Sequence, residues 1–370
     1  MAHQPDLEEM VSFNEIRSCF EGKKVLLTGH TGFKGTWLLQ ILSMAGADIT
    51  GLALAPETEN DLYVQVNGDR LCHSIIHDIR DAKKVRDIIA QTRPDFIFHL
   101  AAQPLVLKGY NEPLYTFEVN TQGTANVMDA LRFTDHPCVA VMITTDKVYE
   151  NHDEPCAFKE SDKLGGYDPY SASKAACEIV INSYRSSFFN PDKYSIHRKS
   201  IASVRAGNVI GGGDFSANRI IPDIVRSLKH DESILLRNPH ATRPWQHVIE
   251  PLGAYLLLAM RMAESPEKFN TSYNIGPYLQ DVISVEALTQ IAIQTAGRGQ
   301  YHLADVVPEF HEAATLMLDI SKISSELGWT PHYSSQEAIA HTIAWYMDDR
   351  DASIKCIEHI RDYFQNSSPA

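Results

Sequence analysis

Val25-Leu26-Leu27-Thr28-Gly29-His30-Thr31-Gly32-Phe33-Lys34-Gly35 is the stretch whose reading decides the fold. A short β-branched and aliphatic run ends in glycines spaced three and three, and an amphipathic stretch follows at once. In that position each glycine has a physical reason. Gly29 permits a tight turn, Gly32 lets the backbone approach a pyrophosphate, and Gly35 allows close packing of helix on strand. The N–H groups that open the helix then meet the anion. Read alone, the run is also compatible with a plain glycine-rich turn.

Outward from this turn the chain alternates between strand-like and helix-like segments. Candidate strands are Val25–Thr28, Ile49–Leu54, Ser74–His77, Phe96–Leu100, Val139–Thr144 and Ile201–Arg205. Between them lie helical patterns over Thr36–Ala45, Ala82–Gln91, Leu114–Arg132 and Ser171–Phe188. Six strands joined by crossover helices predict an α/β fold with a doubly wound parallel (Rossmann) sheet. After Gly211-Gly212-Gly213 the regular spacing is lost, which marks a smaller C-terminal α/β domain for substrate. The expected division is residues 1–22 as an N-terminal extension, 23–210 as the dinucleotide domain, and 211–364 as mainly the substrate domain. Some segments of the last return to the first, and 365–370 form a frayed tail.

Composition narrows the class. The 370 residues carry 33 basic and 47 acidic side chains, a net charge of −14, which argues against nucleic-acid and anionic-membrane partners. No apolar run reaches membrane-span length; the longest, Ala254–Met260, suits a core helix. The acidic N-terminus has no signal-peptide core. Cys19, Cys72, Cys138, Cys156, Cys177 and Cys356 are scattered without metal-like spacing, as in a reduced, cytoplasmic protein. The sixteen histidines show no ligand order either, so no metal is implied.

Two local constellations carry chemistry. Tyr170-Ser171-Ala172-Ser173-Lys174 opens a helix after Pro169, which places Tyr170 and Lys174 on one face at i and i+4. An ammonium beside a phenol lowers its pKa and makes it a base for an alcohol proton. Thr144-Thr145-Asp146-Lys147 ends a strand, where such sheets bind ligands, and sets an acid beside a base. Each pattern alone also fits a surface pair or a solvated loop. The acid that would read a ribose is not cleanly present, Glu57 being the nearest beyond the second strand, and no arginine awaits a 2′-phosphate; NAD is favoured and NADP remains open.

Taken together, seven strings resemble the extended short-chain dehydrogenase/reductase family. Within it they resemble the nucleotide-sugar 4,6-dehydratases, most of all the CDP-glucose 4,6-dehydratase type. The strings are Gly29–Trp37, His99–Val106, Thr145–Asn151, Leu164–Lys174, Arg205–Asp214, Arg237–Val248 and Leu318–Pro331, in family order along nearly the whole chain. The resemblance implies a lyase that oxidises a sugar at C4, eliminates water across C5–C6 and returns the hydride to C6, with NAD staying bound. Tyr170 would be the C4-hydroxyl base, Lys174 would hold the nicotinamide ribose, and Thr145 would bond the C4 oxygen. Asp146 would protonate the departing C6 hydroxyl, with Lys147 as the C5 base or an electrostatic partner of Asp146.

By the same resemblance the cofactor contacts are Gly29, Thr31, Gly32, Phe33, Lys34, Gly35, Asp78, Ile79, Leu100, Ala101, Ala102, Asn120, Thr144, Tyr170 and Lys174. Substrate contacts are Gln103, Asn208, Arg219, Arg243 and His247, the arginines suiting a diphosphate. A homodimer through the Leu114–Arg132 and Ser171–Phe188 helices is expected, with a tetramer open. The chain departs from the type at Leu107-Lys108-Gly109-Tyr110 and over Asn151–Asp162, both near the expected substrate entrance. A nucleotide-sugar 4-epimerase, a dehydratase of another nucleotide sugar and a non-catalytic cofactor sensor are the alternative readings. The Asp146-Lys147 pair speaks against the epimerase, and the Tyr170/Lys174 pair against the sensor.

Overall fold

The computed structural model describes residues 11–152, 156–304 and 316–365. Its centre is a parallel sheet of seven strands: β1 (Lys24–Thr28), β2 (Asp48–Ala53), β3 (His73–Ile76), β4 (Phe96–His99), β5 (Cys138–Ile143), β6 (Lys199–Ala206) and β7 (Ser272–Ile275), in the order β7-β6-β5-β4-β1-β2-β3. Register runs Val25 beside Ile49 on one side and beside Phe96 on the other. The chain therefore reverses direction across the sheet between β1 and β4, where ligands bind in such folds. Strands β4, β5, β6 and β7 are buried on both faces, as continuous apolar runs require when helices cover both sides. All six expected strands form, within one or two residues of their expected bounds.

The flanking helices used below are α1 (Phe13–Phe20), α2 (Phe33–Met44), α3 (Ala82–Thr92), α4 (Gly123–Leu131), α5 (Pro169–Ser187), α6 (Ile249–Glu264), α7 (Ser335–Met347) and α8 (Ala352–Gln365). Helix α1 lies inside the stretch expected to be an extension. A capping box between Ser12 and Glu15 starts it, and its buried face inserts Ile16 and Phe20 into the core. Phe20 packs on Phe96 of β4 with ring centroids 4.7 Å apart, so this segment belongs to the main body. Residues 1–10 and 366–370, the ends of the expected extension and tail, lie outside the described residues, and Gln365 closes α8.

The single helix expected over Leu114–Arg132 is interrupted. Pro113–Phe117 leads into one wide π turn, Glu118–Gln122, before α4 resumes. Such a turn swings a side chain off the regular helical stripe, and here it directs Asn120 inward. Strand β7, from the second half of the chain, pairs in parallel with β6, and buried helix α6 packs on the same sheet. No helix of the described residues is long and apolar enough to cross a membrane.

Candidate active site

The turn after β1 and the loop after β4 meet at the switch point. Gly29 has φ +76°, a conformation that glycine adopts without strain, and a Cβ there would come 2.7 Å from the Ala101 nitrogen. A Cβ on Gly35 would run into the Gly29 carbonyl oxygen. Thr28 Oγ1 accepts from the Ala101 N–H at 3.2 Å and pairs with His99 Nδ1 at 2.8 Å, which ties Leu100–Ala102 to the glycine turn. No side chain caps the start of α2, which leaves its first N–H groups without a side-chain acceptor at the N-cap. This cradle fits the diphosphate of a dinucleotide. Asp78, two residues past β3, is partly buried, which alone would raise its pKa, but the Arg80 guanidinium at 2.8 Å holds the carboxyl below its usual range. Ile79 is buried beneath the same corner. Thr31 Oγ1 donates to the Leu54 carbonyl at 2.9 Å, closing the turn over β2.

The chemistry-bearing groups gather at the carboxyl ends of β5 and β6. Asp168 caps α5 by accepting from the Ser171 N–H at 3.0 Å, and Pro169 fills the first helical position, which fixes where Tyr170 points. Tyr170 is buried and hydrogen-bonded to Thr145. Burial pushes its phenol up to about 12 against the lowering effects of Thr145 and Arg219. Lys174 Nζ donates to the Ile143 carbonyl at 2.9 Å, and burial lowers its pKa. The sequence-based expectation that Lys174 depresses Tyr170 is thus not realised in this geometry, where desolvation dominates both groups.

Asp146 is 1% exposed. Its Oδ1 accepts from Thr145 Oγ1 at 2.9 Å, whereas Oδ2 is buried without a partner. Burial raises its pKa, opposed by the charges of Lys147 and Arg243 and by the Thr145 bond. The result is a carboxyl that burial biases toward its protonated form, with one oxygen that no group of the described residues engages. Lys147 is half-buried beside it. Lys34, in the first turn of α2, shares this field: burial, then the charges of Lys174 and Arg219, lower its pKa to about 7. Phe33, half-buried beside it, faces Gly211.

Of the expected substrate contacts, Asn208 is half-buried with a partnerless Nδ2, Arg219 pairs with Asp214 at 2.8 Å, and buried Arg243 lends its charge to Asp146. Gln103 is a correction. Its Nε2 donates to Thr116 Oγ1 at 2.9 Å and to the Leu105 carbonyl at 3.1 Å, while Oε1 accepts from the Leu105 N–H. Its amide is consumed in holding its own loop. Asn120 does the same from the π turn, accepting from the Gln103 N–H and donating to Ser173 Oγ at 2.8 Å, and Thr144 Oγ1 donates to Glu178. Both side chains are thus engaged within the chain.

His247 is the second correction. Successive residues of a strand face opposite ways. Gln246 turns to the Ile275 carbonyl, and the His247 ring is fully buried among Trp37, Tyr333, His341 and His359. The sequence reading also missed Glu178 and Arg205, described below. The available signal was Glu178 continuing the i, i+4 series Tyr170–Lys174 along a buried face. Among the described residues no group of three or more His, Cys, Asp or Glu is placed to hold a metal ion.

Comparison with known proteins agrees with this fold. The family model described as GDP-mannose 4,6 dehydratase matches residues 26–342. A CDP-glucose 4,6-dehydratase of Salmonella typhimurium is 41% identical over 330 residues, covering 89% of this chain and 92% of its own. Among solved structures, a double mutant of the dTDP-glucose 4,6-dehydratase DesIV from Streptomyces venezuelae, with NAD bound, superposes with a TM-score of 0.74 at 23% identity, covering 93% of this chain and 99% of its own. The epimerase Mth375 of Methanothermobacter thermautotrophicus superposes with a TM-score of 0.75 at 20% identity, covering 95% and 97%. Similarity at that level shows a shared fold, which serves both reactions.

Proposed function

The chain belongs to the GDP-mannose 4,6-dehydratase family, and from that premise we propose that it is a hydro-lyase converting CDP-glucose to CDP-4-dehydro-6-deoxyglucose. The observation that carries the reading is Asp146: a buried carboxyl whose pKa burial raises, with one unpartnered oxygen, set between Thr145 and Lys147. An oxidation or an epimerisation at C4 has no use for such an acid, whereas expulsion of a C6 hydroxyl needs one. The 41% identity to a CDP-glucose 4,6-dehydratase supports the nucleotide.

Gly29, Gly32 and the open N-terminus of α2 bind the diphosphate of NAD, with Asp78 at the adenosine end and Ala101 and Ala102 along the groove. When bound, NAD supplies the reversible hydride acceptance that lets a sugar be oxidised at one carbon and reduced at another. Thr145 and Tyr170 grip the C4 oxygen. Lys174, one turn along the same face, leaves the Ile143 carbonyl and brings its charge to the phenol, which releases its own proton to water before the sugar closes the site; the phenolate of Tyr170 then takes the C4 hydroxyl proton. A ketone at C4 acidifies C5, and Lys147 removes that proton. Asp146 delivers its own to the C6 hydroxyl, which leaves as water. Asn208, Arg219 and Arg243 orient the nucleotide and its diphosphate.

The helix pair Pro113–Leu131 and α5 leaves Leu114 79% and Ile179 60% exposed, which supports a homodimer through those helices. The scattered free thiols support a cytoplasmic location, and the product class supports an early step toward the deoxysugars of surface polysaccharides. The testing experiment incubates the purified chain with CDP-glucose, dTDP-glucose, UDP-glucose and GDP-mannose without added reductant and follows loss of one water by mass. Water loss from CDP-glucose ahead of the others is expected. Water loss from another donor overturns the nucleotide assignment, and none from any donor overturns the reaction.

A further inference from the structure

Behind the site lies a buried ion pair that the reaction as described does not use. Glu178 on α5 and Arg205 on β6 meet at 2.9 Å with side chains 2% and 4% exposed. Glu178 is saturated: Oε1 accepts from Thr144 Oγ1 at 2.5 Å, and Oε2 from Ser203 Oγ at 2.8 Å and Ser272 Oγ at 3.2 Å, besides Arg205. Arg205 continues to the Tyr149 hydroxyl at 2.8 Å, which donates to Asn274 Oδ1 at 2.6 Å. Four elements, α5, β5, β6 and β7, thus converge on one carboxylate.

Its place relative to the chemistry is specific. Lys174 Nζ grips the Ile143 carbonyl, and one turn later on the same helix Glu178 grips Thr144, so α5 is stapled twice to the last two residues before Thr145-Asp146-Lys147. Tyr149, on the other side of that turn, is held by the same pair through Arg205. The catalytic turn is therefore fastened at both ends by one ionic unit. We propose that Glu178 is a positioning residue for catalysis, holding the Lys174 ammonium by its charge and the Thr145–Lys147 turn by its bonds to Thr144 and, through Arg205, to Tyr149. The groups whose charge reaches Lys174 are Cys177 and Glu178 on its own helix, Lys34 on α2 and His99 on β4. Glu178 is the one carboxylate among them, and the Cys177 thiol acts in the same direction. Burial works against the charged lysine, and Glu178 together with Cys177 opposes that loss.

A purely architectural ion pair makes a different forecast. Replacing a buried pair by apolar residues of similar size commonly leaves a protein as stable as before. The test compares the full chain with Glu178→Gln and with the double variant Glu178→Met/Arg205→Met, which removes both charges and keeps the fold measurable if the single variant collapses. The first readout is independent of substrate: competitive acetylation across pH, read by mass spectrometry on the Lys174 peptide. Loss of a negative neighbour disfavours the ammonium, so the labelling midpoint should fall in Glu178→Gln; the double variant also loses the positive charge of Arg205 and serves for the fold and the rate. The second rests on the dehydratase reading: kcat for water loss should fall at least about tenfold in both variants, with KM changed by less than about threefold. An unchanged Lys174 midpoint overturns the proposal, as does a folded double variant with kcat within about threefold of the parent. A parent that dehydrates no nucleotide sugar overturns the functional reading alone, because the labelling comparison still decides the role of Glu178.

Discussion

Asp146→Asn is the perturbation that bears most directly on the proposed elimination. The side chain is 1% exposed, and it accepts from Thr145 Oγ1 at 2.9 Å and from the Lys147 backbone, bonds that an asparagine oxygen accepts equally well. The new amide nitrogen occupies the place of Oδ2, which has no partner to lose. Stability should therefore change by no more than about 1 kcal/mol. Binding of CDP-glucose, read by calorimetry, should stay within about threefold, since no charge directed at the diphosphate is removed. The rate of water loss, read by rapid quench and mass spectrometry, should fall by roughly two to four powers of ten, or about 3–5 kcal/mol of barrier.

The pH dependence adds a second signature. Burial raises the Asp146 pKa, so the proton-bearing form persists above the ordinary carboxylate range and is lost as pH rises through the shifted value. The alkaline fall in rate due to that loss should be absent from the residual activity of the variant. Water loss within about tenfold of the parent would refute the acid role. So would a rate loss matched by an equal loss of binding.

Further outcomes follow from other parts of the structure. Tyr170→Phe keeps the buried ring and removes the hydroxyl bonded to Thr145; water loss should fall by about two to four powers of ten with the thermal midpoint nearly unchanged. Gly35→Ala drives a methyl into the Gly29 carbonyl, at a cost of about 1–3 kcal/mol, and calorimetry should show NAD affinity weakened by about tenfold or more. Glu250 on α6 is fully buried, and burial raises its pKa to about 7 despite bonds from the His332 and Tyr333 N–H groups and the Tyr363 hydroxyl. A carboxyl raised in the folded state binds a proton that the unfolded chain has already released, so it costs stability as pH climbs from the unfolded value toward 7. Glu250→Gln should therefore gain stability relative to the parent, by up to about 3 kcal/mol, between about pH 5 and about pH 8 in urea titrations. Leu114→Asp with Ile179→Asp should convert a dimer to monomers in sedimentation, without loss of helicity.

The local features of the fold were legible because their physics is local. Strands β1 to β6 announce themselves as apolar runs between breakers, and Pro169-Tyr170 announces the start of α5. Strand β7 does not, because Ser-Tyr-Asn-Ile carries polar residues that are consumed inside the sheet: Asn274 bonds Tyr149, and Ser272 bonds Glu178. Helix α1 carried its capping box, Ser12 and Glu15, in plain view, but eight residues offer too short a period to outweigh their terminal position. The break at Glu118–Gln122 answers to Gln103 and Ser173, residues distant in sequence, and no spacing rule records that demand.

In the site, Thr145, Asp146, Tyr170 and Lys174 could be read because each pair lies within one turn. Glu178 and Arg205 could not, since their meaning lies in a contact between a helix and a strand 27 residues apart. His247 was misplaced for a related reason. In a two-residue strand, which side chain faces the ligand depends on packing partners, here Trp37 and His359, that arrive from both ends of the chain.

The central claim is that one site oxidises C4, expels the C6 hydroxyl and reduces C6 with the same hydrogen. CDP-glucose deuterated at C4, turned over by the purified chain beside unlabelled substrate, tests it in one measurement of product by mass and magnetic resonance. The expected result is a 4-keto-6-deoxy product with the deuterium at C6 of the molecule that brought it and no crossover. Deuterium found on C4 of an unaltered or epimerised hexose, or exchanged into the unlabelled pool, would contradict the account.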